Sequence, residues 1–317
     1  MSATGARVRA GGRPSGAVRR WDAGRIARVT FMSLVALVFL YPMVGFFVVA
    51  LRSDASVADG TGGFLGIGGI SLAGIAHSWH EIISYGGSDT PHVYLTWIGN
   101  TLFVAGTGAV LALIAALPSG YALARLRFPG KRYVLIVTLL AMVMPNTVLV
   151  IPLFLEVNAI NAVGTLWPVA VIMGFFPFGV YLSYIHFRTA RPFELVEAAR
   201  IDGLGEIRIF FQIALPISKQ AVALVAFFSF VANWTNFFLP LALLTSSFSE
   251  QTISVGIQSL ISSSPLFNPT TAAGLNVKLY MPELALATAI STVPMLIVFI
   301  VAQRFLIRGQ TLGAVKG

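Results

Sequence analysis

Residues Glu197-Ala-Ala-Arg-Ile-Asp-Gly203, running on through Leu204-Gly-Glu-Ile-Arg-Ile-Phe-Phe-Gln-Ile213 to Ala214-Leu-Pro216, form a charged, helix-forming island between two apolar tracts. No Asp, Glu, Lys or Arg occurs in residues 157–187 before it or 220–249 after it. The same holds for 29–51, 90–124, 133–155 and 284–303. Each window can supply the ~20 apolar residues needed to cross a hydrocarbon core of about 30 Å. Backbone groups in lipid must be bonded internally, and these runs far exceed the ~10-residue strands of a membrane barrel. The pattern predicts an all-α, polytopic membrane protein with six transmembrane helices, at about 29–51, 97–119, 133–155, 164–186, 220–244 and 284–306.

Composition agrees. The chain is 56% hydrophobic and 10% charged, with mean hydropathy +0.83. A soluble domain carries roughly 25% charged residues, and six charge-free windows are too many to bury as core helices in 317 residues. The basic residues set the expected orientation. Nineteen of the 21 lie before the first span, in the link after the second (Arg125, Arg127, Lys131, Arg132), in the island (Arg188 to Lys219) or after the last. The other side holds only Arg52 and Lys278. The positive-inside bias then places both termini in the cytoplasm, with residues 1–28 as an Arg-rich tail and 188–219 as a cytoplasmic loop. The net charge of +9 follows from the same loops and brings no nucleic-acid motif with it. The first apolar run is too long for the h-region of a cleaved leader, so a signal anchor is expected.

The spans carry few polar groups, and those few stand out. Gly108, Ala112, Ala116 and Gly120 recur every four residues and predict a face for close helix contact. Pro42, Pro118, Pro145, Pro152, Pro168, Pro177, Pro240 and Pro294 fall inside or near the ends of spans, where an interior proline frees a carbonyl and kinks its helix. Asn146 lies near the middle of the third span; Asn233 and Asn236 lie near the middle of the fifth, beside Trp234, Phe237 and Phe238. Amides with aromatic rings suit a sugar, since amides bond hydroxyls while rings stack on C–H faces. Amides that cross-link helices are the competing reading. Asn146, Asn233, Trp234, Asn236 and Phe237 are the candidate solute-path residues.

Several chemistries are missing. There is no phosphate-binding G-x-x-x-x-G-K-[ST] loop, no His-Glu-x-x-His, no Gly-x-Ser-x-Gly and no cysteine. His77, His80 and His92 share the first long loop, but His-x-x-His without further ligands is a weak metal signal, and no metal site is expected. No carboxylate lies inside a charge-free window, which argues against a cation-coupled secondary carrier, the alternative transporter reading. Uphill transport would then draw on another subunit.

The island has the physical form of a docking knob. Pro192-Phe-Glu-Leu-Val-Glu-Ala-Ala-Arg-Ile-Asp predicts a short helix with acidic residues in its early turns, broken at Gly203 and followed by a second helix from Glu206. Its pattern, E-A-A-x-x-D-G and then I-x-L-P, resembles that of the permease subunits of binding-protein-dependent ABC importers of the maltose-type carbohydrate class. Glu197, Ala198, Ala199, Asp202, Gly203, Ile213, Leu215 and Pro216 carry the match. Tyr121–Lys131, Asn233-Trp-Thr-Asn-Phe-Phe-Leu-Pro-Leu241 and Gln303–Gly309 with Gly313-Ala-Val-Lys-Gly317 extend it over nearly the whole chain after the tail. Leu204, where the family usually has a small residue, and residues 262–282, longer than the usual outer loop, depart from it.

The resemblance implies the transmembrane domain of a type I ABC importer over 29–317. Glu197, Ala198, Ala199, Asp202, Gly203 and Leu204 would seat in a cytoplasmic ATPase dimer, which binds ATP and Mg, so that this chain needs no cofactor and no catalytic residue. A homologous second permease would complete the pathway, and an extracytoplasmic sugar-binding protein would deliver solute. A membrane-embedded enzyme or a scaffold fits the residues less well.

Overall fold

The computed structural model describes residues 23–59, 69–87, 89–189, 194–272 and 279–311. The Arg-rich tail through Arg20, the glycines at 60–68, Arg191, Pro192, Lys278 and the Gly313–Gly317 signature lie outside them. Two compact units are distinguished, 1–46 and 47–317. The first consists, among the described residues, of most of α1 (Ala23–Ala50), a single apolar helix that leaves Leu37, Val38 and Phe39 exposed.

Among its described residues the regular elements of the second unit are all helices, apart from an isolated bridge between Arg52 and Ile70. Two short helices, α2 (Asp54–Ala58) and α3 (Leu72–Ser84), precede α4 (Val93–Arg125). The 33 residues of α4 reach about 50 Å at 1.5 Å per residue. After Gly130, whose φ of 81° suits a residue without a Cβ, come α5 (Lys131–Val143), a 3-10 turn (Asn146–Leu149) and α6 (Val150–Ala159). Then follow α7 (Leu166–Met173) and α8 (Pro177–Thr189). The charged island forms α9 (Glu194–Ile201), α10 (Glu206–Ile209), a π-helical turn (Phe210–Ala214) and α11 (Leu215–Ile217). The chain continues through α12 (Lys219–Trp234), α13 (Phe238–Leu244), α14 (Ile253–Ser263), α15 (Pro269–Ala272) and α16 (Met281–Thr311).

Among the described residues, four stretches are long and apolar enough to cross a membrane: Ile26–Ala50, Val93–Arg125, Leu166–Thr189 and Met281–Phe305. Two bent pairs bring the number to six: Lys131–Val143 with Asn146–Ala159, at 95°, and Glu206–Ile217 with Lys219–Trp234, at 82°. Helix breaks also fall within three of the expected windows, one of them inside the Leu166–Thr189 stretch. The window 133–155 breaks at Met144–Pro145, 164–186 at residues 174–176, and 220–244 at residues 235–237. Proline contributes at each of these breaks, while Pro42, Pro118 and Pro294 lie inside α1, α4 and α16, which continue through them. A proline inside a helix offers no N–H and clashes with the carbonyl four residues back. Pro145 acts on Ala141 and Pro177 on Met173, and those two breaks fall within the four-residue interval, whereas the third opens at Thr235, one residue before the Asn236 carbonyl that Pro240 reaches.

Helix α4 is the hub of this unit, packed on α7, α8 and α12. It buries the predicted face of Gly108, Ala112, Ala116 and Gly120. At Gly120 an added Cβ would lie 2.3 Å from the Ser183 Cβ, so α4 and α8 touch backbone to backbone there. Small residues allow this approach where lipid supplies no hydrophobic drive.

Candidate functional site

A cavity of about 560 Å³ lies in the second unit, between α5, α6, α7, α8, α12 and α13. That is within the range of small-molecule pockets. Its wall includes Asn146, Asn233 and Asn236 from the third and fifth predicted spans, with Phe175, Phe176, Phe178, Met142 and Met173. The helix breaks are what bring these groups together. Asn146 opens the 3-10 turn after Pro145, and Asn236 sits in the gap before α13, its Oδ1 accepting the Leu239 N–H at 3.4 Å. Asn233 is 6% exposed, its amide lies against Gly108, and its Nδ2 donates to Ser229 Oγ at a long 3.5 Å.

Trp234 and Phe237 are not in that wall. One residue along a helix turns the side chain by about 100°. Trp234 accordingly points away from Asn233, buried at 5% exposure, with its ring stacked on Phe230 at 5.6 Å. Phe237 packs edge-on against Phe238 at 5.4 Å. Phe175, Phe176 and Phe178, which flank Pro177, supply the aromatic wall instead. Their signal was an aromatic cluster around a proline inside a charge-free window.

The island folds as a knob on the Arg125 end of the bundle. Val196, Ala199, Ile209, Phe210 and Ala214 are buried with Ala116, Leu117 and Tyr121 of α4, Phe187 of α8 and Val225 of α12. Burying one such large side chain contributes about 1.5–3 kcal/mol. Gly203, with φ of 82°, turns the chain between α9 and α10. Leu204, the departure from the family pattern, packs half-buried against this cluster. Glu197, Ala198, Asp202 and Gly203 are exposed, beside Leu195, Ile201 and Ile207, whereas Ala199 faces inward at 6% exposure.

A polar network absent from the sequence reading runs beneath the knob. Arg200 donates from Nε to Glu206 Oε1 at 2.6 Å, from Nη2 to Glu206 Oε2 at 3.2 Å and from Nη1 to Glu197 Oε1 at 2.9 Å. The bond to Glu206 pushes the guanidinium pKa further up. Tyr121 O–H donates to Glu206 Oε2 at 3.0 Å. Opposite charges six residues apart across a glycine turn were the available signal.

At the other end of the bundle Asp54, His77 and Glu283 each place a ligand atom within 4.8 Å of the others. His80 and His92 take no part in that group. Glu283 is 1% exposed and already accepts from Ser78 Oγ at 2.6 Å and from the Tyr280 N–H at 2.9 Å.

Residues 108–311, which hold the cavity's α12 wall, the knob and most of the hub helix, match the family described as the binding-protein-dependent transport system inner membrane component. The chain belongs to that family. It is thus a multi-pass permease component of such a transport system. Among family members, the arabinooligosaccharides transport system permease protein AraQ of Halalkalibacterium halodurans is 33% identical over 226 residues, covering 71% of this chain and 75% of its own. The maltodextrin transport system permease protein MdxG of Bacillus subtilis is 30% identical over 298 residues, covering 92% and 96%. The lactose transport system permease protein LacG of Rhizobium radiobacter is 28% identical over 297 residues, again covering 92% and 96%. A bacterial ABC transporter that imports the acidic polysaccharide alginate has a chain of the same fold, with TM-score 0.71 at 23% identity over 88% of this chain and 95% of that one.

Proposed function

We propose that this chain is one permease subunit of an ATP-driven sugar importer and forms half of the translocation path. One observation carries the reading. Helices α8 and α12 run from the buried floor of the knob, at Phe187 and Val225, to the cavity wall, at Phe178 and Asn233. A force on the knob therefore acts on the two helices that shape the cavity. Three amides among aromatic rings suit a hydroxyl-rich solute, and the relatives named for oligosaccharide transport support the same class.

In this reading both termini and the knob are cytoplasmic, in keeping with the basic residues around them. Glu197, Ala198, Asp202 and Gly203, with exposed Leu195, Ile201 and Ile207, dock an ATPase dimer, and Ala199 and Leu204 seat the knob from beneath. Exposed apolar side chains on a compact element mark such a docking surface. ATP and Mg bind to the ATPase, and this chain hydrolyses nothing. A homologous permease closes the other half of the cavity, and an extracytoplasmic binding protein delivers the sugar.

The test replaces the exposed knob. Glu197→Arg reverses its charge, and Gly203→Val strains a backbone held at φ of 82°. Each should weaken ATPase capture by about 30-fold, the ~2 kcal/mol of an interface hot spot. Uptake of labelled maltotriose, arabinotriose and lactose should fall with it. Asn233→Ala should lower uptake while the ATPase stays bound. Normal capture and uptake in both knob variants would sink the docking role.

A further inference from the structure

Resting on that reading, we infer that Arg200, Glu206 and Tyr121 form a positioning bracket that makes the docking knob and the hub helix α4 move as one body. Two kinds of contact join the knob to the bundle. The apolar floor of Val196, Ala199 and Phe210 excludes water but is non-directional, so it resists separation more than rocking. The polar contacts are directional. Arg200 on α9 grips both oxygens of Glu206 on α10, a fork geometry that fixes the angle between the two short helices across the Gly203 turn.

Tyr121 carries that constraint into the membrane. Its hydroxyl bonds Glu206, while its ring, 3% exposed, is wedged between Phe187 of α8 at 5.4 Å and Phe210 at 5.3 Å. Displacing Glu206 therefore pulls on a side chain that cannot swing without its own helix. The same guanidinium also holds Glu197, so the series starts on the exposed docking surface and ends inside the hub.

Stability gives a weak reason for this arrangement. The side chains of Arg200 and Glu206 are 27% and 39% exposed, and half-exposed ion pairs add little to folding. The bracket's effect lies in where it points, and Glu206→Gln should still fold and assemble.

The chain contains no cysteine, so Ala232→Cys places one thiol of its own at the cavity wall. In the assembled transporter, the rate at which this thiol reacts with a membrane-impermeant maleimide, with ATP against ADP, reports opening and closing without a known solute. Glu206→Gln and Tyr121→Phe should each shrink the ATP-dependent change about fivefold, as residues along a coupling network do. The ATPase should remain bound and continue to hydrolyse ATP. The exchange Arg200→Glu with Glu206→Arg should restore part of the response, which lost packing would not. A full ATP response in Tyr121→Phe, the variant that removes a single hydroxyl, overturns the bracket whatever Glu206→Gln does. If the Ala232→Cys parent itself ignores ATP, the importer reading falls first and the bracket with it.

Discussion

At its Val93 end α4 is gripped by neutral groups. Trp97 Nε1 donates to the Phe248 carbonyl at 2.8 Å, Asn100 Nδ2 to the carbonyls of Ser249 and Gln251, and Thr101 Oγ1 accepts the Ile253 N–H at 2.7 Å. At its Arg125 end the helix's own buried phenol, Tyr121, bonds the Glu206 carboxylate, which the Arg200 guanidinium holds at a partly exposed rim. The difference is one of cost and freedom. Neutral side-chain-to-backbone bonds centred on the buried Trp97 and Thr101 fix one arrangement, since a buried N–H left without its acceptor is expensive. Charged groups at a wet rim can exchange partners for water at little cost, which suits a joint that must transmit movement. One end of the hub is a latch and the other a lever.

The latch should break first under substitution. Trp97 is fully buried, meets Phe248 edge-on at 5.3 Å and presses so closely on Gly256 that a Cβ there would lie 2.1 Å from its ring. Trp97→Ala should cost about 3–5 kcal/mol, the range for emptying a large aromatic site. Thermal unfolding in detergent would measure it. Thr101→Val keeps the shape but strips the acceptor from the Ile253 N–H, and should cost about 1–3 kcal/mol. Neither should alter how much ATPase the folded protein retains. A latch variant that folds normally but loses the ATPase would erase the distinction between the two ends.

Much of this was legible in the chain. Charge-free windows located the apolar helices, because lipid leaves no other use for such runs. The breaks at Pro145, Pro177 and Pro240 were harder, since a hydropathy window counts residues and carries no direction. The four-residue reach of each proline bears on them only once the helices are seen to stop there. Asn233 and Trp234 show the same limit at the site. Adjacent in sequence, they point about 100° apart, and nothing local marks Asn233 as the one that lies against Gly108. Arg200 and Glu206 were within local reach, but their union needs the left-handed Gly203 turn. Asp54 and Glu283 lie 229 residues apart with no local pattern to join them.

That last pair supplies a carboxyl at this end of the bundle whose titration is displaced, and the smallest predicted effect. Burial, the facing carboxylate of Glu283 and, less strongly, Glu81 push the Asp54 carboxyl up to about 6, while His77 pulls it down. A carboxyl whose folded pKa lies above its unfolded value of 3.8 binds its proton more tightly in the folded protein. Its contribution is therefore most favourable at low pH, erodes as pH rises from about 4 to about 6, and stays at its lower value beyond that. Asp54→Asn keeps the shape without the charge and should remove this slope. Because the Asp54 side chain is about one-third exposed, solvent screens much of the effect. A shift in melting midpoint of only about 1–2 °C between pH 4 and 7, present in the parent and absent in the variant, is expected. Equal slopes in the two proteins would mean that water already satisfies Asp54, and that the latch contains no charged weak point at this position.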